Sequence, residues 1–327
     1  MIKPVLSAVS ALALLASPAM AGEVWDMSYA WPDSNFHVQN GHEFAKRVAA
    51  ATDGEVEIVI HSGGALGLKG PEAMAAVRDG IVPIAEYSLE QQNGEVPFTS
   101  LAAMPGLAMG YEETRVLVEV IRPKIQEILG NYNQKLLYIV PWPGQGVYTK
   151  VPLNSLADLG GYKLRAANAR AVEFFEALGA APVLLPWAEV VPSLASGVIN
   201  GVSTSSSSGV DGKFWEFLSD YSRFDWANPL SVVTVNLDSW NELSAESQAA
   251  IEAIAKELEP SFWEVSVKED ERNLELLSAN GINVSTLPAS LRKEIAEASE
   301  AIWAEFAEQA GEDARKAIAD YREKVGK

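Results

Sequence analysis

Residues 158–201, DLGGYKLRAANARAVEFFEALGAAPVLLPWAEVVPSLASGVING, read as strand, helix and strand in turn. Residues 162–166 form a short strand, and 169–178 carry apolar residues at helical spacing. Gly179 stands just past the helix end, where a left-handed residue is wanted. A second strand follows over 182–185. Arg165 thus falls at the carboxyl end of a strand, and in open α/β sheets ligands bind in the crevice outside those ends. Its planar fork of donors suits a carboxylate held by two parallel hydrogen bonds, which makes Arg165 the candidate ligand anchor. The competing role for Arg165, and for its neighbour Arg170, is an ion pair, because an acidic chain offers partners freely.

The same alternation continues on both sides. A strand over 24–29 leads to a helix over 35–51 capped by Asp33 or Ser34, then to a strand over 56–60. Pro71 opens a helix that Gly80 closes, and 82–85 form a strand. The step from Glu72 through Gly80 to Ala85 recurs from Glu189 through Gly197 to Val202. It is either a common local unit or the mark of two lobes built alike. Residues 231–237, SVVTVNL, alternate as a strand; 245–277 read as a long helix with Pro260 as its kink, and 289–325 as one or two surface helices. Strands alternating with helices predict an α/β fold of two lobes, each a mixed or parallel sheet covered by helices.

Composition narrows the functions open to the chain. Residues 1–21 carry Lys3, an apolar run over 5–15 and the triplet Ala19, Met20, Ala21, the pattern of a secretory signal cleaved before Gly22. That run is too short for a helix spanning a bilayer, which needs about 20 residues. Export predicts a periplasmic protein, and loss of Lys3 takes the net charge from −19 to −20. Phosphate backbones need clustered Lys and Arg, so nucleic acid is excluded as a partner. The acidity serves solubility and would repel anions unless local basic residues overcome it. With no cysteine, folding rests on core burial, and about 300 residues are enough for two lobes.

The side-chain inventory argues against catalysis. The three histidines, His37, His42 and His61, lack zinc-ligand spacing, and HEFAK at 42–46 is not an HExxH motif. GVSTS at 201–205 is not a GxSxG elbow, and neither a P-loop nor a GxGxxG is present, so no metal or cofactor is expected. A carboxylate pair acting as acid and base is the chemistry left open among the 44 acidic residues.

The order aspartate, leucine, any residue, glycine, hydrophobic, lysine, hydrophobic, arginine at 158–165, followed by EALGAAPV and an aromatic before AEV, resembles the DctP-type solute receptors of TRAP (tripartite ATP-independent periplasmic) transporters. WPDSNFH at 31–37, GGALG at 63–67 and PEAMAAVRDGIVPIAEY at 71–87 extend the resemblance over most of the chain. It implies a periplasmic binding-protein fold with a ligand cleft between the lobes and a long helix spanning both. Residues 22–144 with 231–270 would form lobe one, and 145–230 with 271–327 lobe two. It implies a monomer that binds a small organic acid and delivers it to membrane permease subunits, without being membrane-embedded itself.

Site residues follow from the same resemblance. Arg165 occupies the place of the family's carboxylate-binding arginine, and Trp187 the place of an aromatic beside the ligand. Glu86, read as ending its strand, either contacts a hydroxyl or amine of the ligand or caps the next turn. Trp31, Trp142 and Tyr148 are candidate walls, with core packing as the alternative for each. Gln145 stands where dicarboxylate receptors carry a second arginine, and Thr204 and Ser205 replace the family's amide donor. These departures favour a monocarboxylate, with room for an aromatic or bulky apolar tail, over a C4-dicarboxylate. Two other functions fit the same residues: a secreted hydrolase or lyase that clamps a carboxylate substrate with Arg165, and the receptor of an ATP-driven importer.

Overall fold

The computed structural model describes residues 22–287 and 289–326, so the signal segment 1–21 lies outside the described residues. The chain runs β1 (Glu23–Ser28), α1 (Phe36–Ala51), β2 (Val56–His61), α2 (Ala73–Arg78), β3 (Ile84–Ser88), α3 (Tyr111–Asn131) and β4 (Gln134–Pro141). It continues through β5 (Gly146–Thr149), β6 (Lys163–Ala166), α4 (Ala169–Ala177), β7 (Ala181–Leu184), α5 (Val190–Ser196), β8 (Gly201–Thr204), α6 (Ser206–Asp211) and β9 (Asp220–Arg223). Last come β10 (Leu230–Asn236), α7 (Leu237–Asn241), α8 (Ala245–Ala279), β11 (Asn283–Thr286), α9 (Ala289–Gln309) and α10 (Glu312–Val325).

These strands form two mixed sheets built alike. One has the order β2-β1-β3-β10-β4, the other β11-β9-β5-β8-β6-β7. In the first, β1, β2 and β3 pair in parallel and β10 joins β3 antiparallel; in the second, β6, β7 and β8 pair in parallel and β5 joins β8 antiparallel. The repeated helix-glycine-strand step is therefore the second half of a βαβαβ unit in each sheet. Gly80 and Gly197 both adopt a left-handed φ, +67° and +74°, at the turn between helix and strand. Gly179 does the same after α4, where Ala180 N donates to Phe175 O and closes a Schellman turn.

Three segments join the sheets. Residues 142–145 and 224–229 run side by side, with Trp142 N donating to Pro229 O at 2.8 Å and Gln145 N to Ala227 O at 2.9 Å. The third is α8, 35 residues long, which continues through Pro260. Its middle donates from Trp263 Nε1 to Ile139 O and from Ser266 Oγ to Pro141 O; one turn on, Asp270 accepts from Ser206 Oγ and Arg223 Nη2. Through these neighbouring turns α8 bonds to β4 and to the second sheet's layer, linking the two halves.

Several local expectations are corrected. The N-cap of α1 is Asn35, whose side chain accepts from His37 N, rather than Asp33 or Ser34. β3 begins at Ile84 and not at Val82, because Pro83 has no N–H to give a ladder. The C-terminal segment divides between the halves instead of lying wholly with the second. α9 packs on α4, burying Ile295, Ile302 and Phe306, whereas α10 buries Ala314, Ala317, Ile318 and Tyr321 on the layer of α3. Ion pairs Lys124–Asp313 and Lys324–Glu119, both 2.8 Å, flank that contact.

Candidate functional site

The carboxyl ends of both βαβαβ units face one cavity, which includes about 450 Å³ of empty space with its mouth. From the first sheet come Trp31, Ser88, Glu90 and Gln91. From the second come Arg165, Asn168, Ser203, Thr204 and Ser208, and the crossing segments add Trp142, Gln145 and Trp226.

Arg165 is the third residue of β6, hydrogen-bonded on both sides by β7 and β8, and is only 2% exposed. Its Nε donates to Leu185 O at 3.0 Å, which fixes the plane of the guanidinium, while Nη2 is buried without a partner. An unpaired buried donor carries a cost of about 1–3 kcal/mol or more for a charged group, so this one is poised for an acceptor that enters the cavity. Burial pulls the guanidinium down to about 10 and Glu90 pulls it back, which leaves it charged at neutral pH.

The aromatic wall is layered. Trp31 and Trp142 meet edge to face with centroids 4.6 Å apart, and both line the cavity. Trp187 is half-buried and packs against Trp31 at 5.5 Å, touching the wall without being part of the lining. Trp226, in the second crossing segment, donates from Nε1 to Ser203 Oγ at 3.3 Å and closes the floor. Gln145 lines the cavity with its amide donating to Pro143 O, and Thr204 lines it from the end of β8.

Three expected residues stand elsewhere. Tyr148 is fully buried, stacked on Tyr221 at 4.1 Å, and donates to Ser205 O; a Cβ on Gly209 would overlap its hydroxyl. The close approach of Gly209 marks Tyr148 as core. Ser205 caps α6, its Oγ accepting from Ser208 N, and Ser208 takes its place on the lining. Glu86 lies inside β3, which runs on to Ser88, and its Oε2 accepts from Trp31 Nε1 at 3.1 Å behind the wall. Burial pushes its carboxyl up to about 7.

Glu90, four residues on, is the acidic residue that reaches the cavity. It is 3% exposed, its Oε2 has no partner, and burial pushes it up to about 8, raised further by Glu86 and held back by Arg165. The turn 89–92 that carries it follows β3 directly, so the strand extending past residue 85 would have moved the choice from Glu86 to Glu90. Asn168 and Trp226 have no comparable sequence signal. Their positions depend on the N-terminus of α4 and on the crossing segment meeting the first half of the chain.

Two contacts bridge the halves beside the mouth. Asn35 Nδ2 donates to Asp211 Oδ2 at 2.6 Å, and Lys69 pairs with Glu189 at 3.4 Å. The second is about half exposed on each side, so its contribution is under roughly 1 kcal/mol. His37 packs on Trp142 at 4.3 Å, and burial lowers it to about 3, so its ring is neutral. Among the described residues, no three His, Cys, Asp or Glu side chains are grouped to hold a metal, and no helix is long and apolar enough to cross a membrane.

Comparison with known proteins agrees with this geometry. The model of the bacterial extracellular solute-binding protein family 7, DctP, matches residues 27–310. The ectoine/5-hydroxyectoine-binding periplasmic protein UehA of Ruegeria pomeroyi is 25% identical over 93% of this chain and 91% of its own. Among solved structures, DctP7 of Bordetella pertussis, an extracytoplasmic solute receptor binding pyroglutamic acid, superposes with a TM-score of 0.89. It is 32% identical and covers 92% of this chain and all of its own. A marine metagenome TRAP solute binding protein specific for pyroglutamate gives 0.88 at 33% identity, over 92% of this chain and 99% of its own.

Proposed function

Because the chain belongs to the bacterial extracellular solute-binding protein family 7, whose fold is that of receptors and not of enzymes, we propose that it captures a compact monocarboxylate for a TRAP permease. The carrying observation is the buried Arg165 fork with its unpartnered Nη2 in an enclosed, tryptophan-walled cavity. The ligand's carboxylate lies on that fork, its body between Trp31, Trp142 and Trp226. The pyroglutamate receptors at 32% and 33% identity support an acid of that size, a small ring bearing one carboxylate and an amide. No second arginine lines the cavity among the described residues, which supports one carboxylate over two. Family membership supports work in the periplasm, handing its ligand to membrane subunits.

Energetics require more than the arginine. A Kd of about 1 µM needs roughly −8 kcal/mol, and hydrogen bonds to a charged group supply about 1.5–3 each. Burial between the tryptophans and closure of the halves about segments 142–145 and 224–229 supply the remainder, and closure is driven by the ligand's differential affinity for the closed state.

Calorimetric titration of residues 22–327 with L-pyroglutamate, succinate and a neutral lactam checks this reading. One-to-one binding of pyroglutamate with a Kd of about 1 µM or below, and at least hundredfold weaker binding of the other two, is the expected outcome. Preference for succinate would overturn the monocarboxylate assignment.

A further inference from the structure

Two glutamates and a single arginine share the buried core of the site. Glu90 on the turn 89–92 faces Arg165 of β6 and keeps its buried Oε2 without a partner, and Glu86 of β3 lies behind Trp31, held by Trp31 and Ser231. The elements packed around them bring no further charge. β10, LSVVTVN, and the turn 97–103, PFTSLAA, carry no ionisable side chain, and the phenols beside Glu86, Tyr29 and Tyr138, are pushed up by burial and stay neutral. With both glutamates ionised, an entering carboxylate would leave two net negative charges around one guanidinium among buried side chains. Uncompensated buried charge costs several kcal/mol per ion. A proton on a carboxyl costs only about 1.4 kcal/mol per pH unit above its pKa, so protonation wins.

We propose that Glu90 is the specificity-determining residue of this site, that it binds as a neutral acid donating its O–H to an acceptor oxygen of the ligand, and that each anion is captured together with a proton from solvent. This rests on the reading of the Arg165 cavity as an acid-binding site. The unpartnered Glu90 Oε2 supplies the donor, and Arg165 Nη2 supplies the carboxylate contact, so the two orphaned atoms select a molecule with a second acceptor beside its carboxylate. A lactam, keto or hydroxy acid meets that demand. An acid with an ammonium in that place would hold Glu90 as the anion and drive its proton out, so the sign of proton exchange reports the role of Glu90.

Burial already holds Glu90 near 8 and Glu86 near 7, so the proton is exchangeable in the physiological range. An adjacent ligand carboxylate raises the bound-state value further. Affinity is then greatest below the free-state value and weakens as pH rises through it, by up to about tenfold per pH unit until the bound-state value is reached.

The test is calorimetric titration of residues 22–327 with L-pyroglutamate at about pH 8 in phosphate and in Tris, whose ionisation enthalpies differ. The difference in observed heat counts protons per ligand. Uptake of roughly one-half to one proton is expected, with Kd weakening severalfold between about pH 7 and pH 9. In Glu90→Gln the uptake falls below half the wild-type value; if that variant does not fold, the wild-type buffer difference decides alone. Binding with no proton exchange, or with release, overturns the inference and leaves the acid-binding reading intact. Absence of binding to pyroglutamate and to every other monocarboxylate tried overturns both.

Discussion

Arg165→Ala is expected to lose about 2–5 kcal/mol of ligand affinity, roughly thirty- to several-thousand-fold, as for truncating one side of a buried charge pair. Much of that loss is the cost of holding the ligand's carboxylate in a cavity that has no other cation among the described residues. Arg165→Lys restores only part of it, because an ammonium is a point charge without the fork that Leu185 O now orients. Arg165→Ala also removes the cation that holds Glu90 down, so the Glu90 carboxyl rises further and remains neutral at pH 7. Calorimetry of both variants, with thermal unfolding of the unliganded proteins as the control for folding, checks the prediction. Unchanged affinity in Arg165→Ala would remove the anchor.

Trp142→Ala is expected to destabilise the unliganded protein by about 3–5 kcal/mol, the usual cost of truncating a buried tryptophan. Its indole is 3% exposed and touches Trp31, Phe36 and His37, and its Nε1 donates to Ser231 Oγ at 2.9 Å. Truncation leaves a cavity beside the ligand site and removes the donor to that hydroxyl. Affinity falls as well, since the same ring walls the site. Trp142→Phe keeps part of the packing and recovers part of both losses. Urea unfolding monitored by far-ultraviolet circular dichroism measures the effect; a change under about 1 kcal/mol would show that the wall is not structural.

Much of this fold could be read from local pattern. Residues 158–201 carry their own period, cap and glycine, and β6, α4 and β7 appear within one residue of expectation. The paired glycines Gly80 and Gly197 disclosed the kinship of the two sheets because a left-handed turn demands the same residue in both. The antiparallel neighbours β10 and β5 arrive from distant parts of the chain, and no local period announces such pairing. Residues 289–325 read as one or two helices, but which layer α10 covers depends on where α3 lies.

The site divides along the same line. Arg165 was legible because a strand end in a parallel sheet has a fixed relation to the cleft. Glu90 was not, because a glutamate in LEQQ reads as solvated until Arg165 and Trp226 arrive from the second half of the chain to bury it. Tyr148 and Trp142 are both aromatic residues near a predicted element end. One is core and the other wall, and the difference lies in a glycine more than sixty positions beyond the first, Gly209, which lets the helix close over the ring.

The central claim is that an acid enters the cavity, is held by Arg165 and leaves unchanged. Native mass spectrometry of the purified mature protein, followed by mass analysis of what denaturation releases, tests it most directly. The account predicts one intact small monocarboxylic acid per chain in the wild type and none in Arg165→Ala. A chemically altered product, or a ligand without a carboxylate, would contradict it.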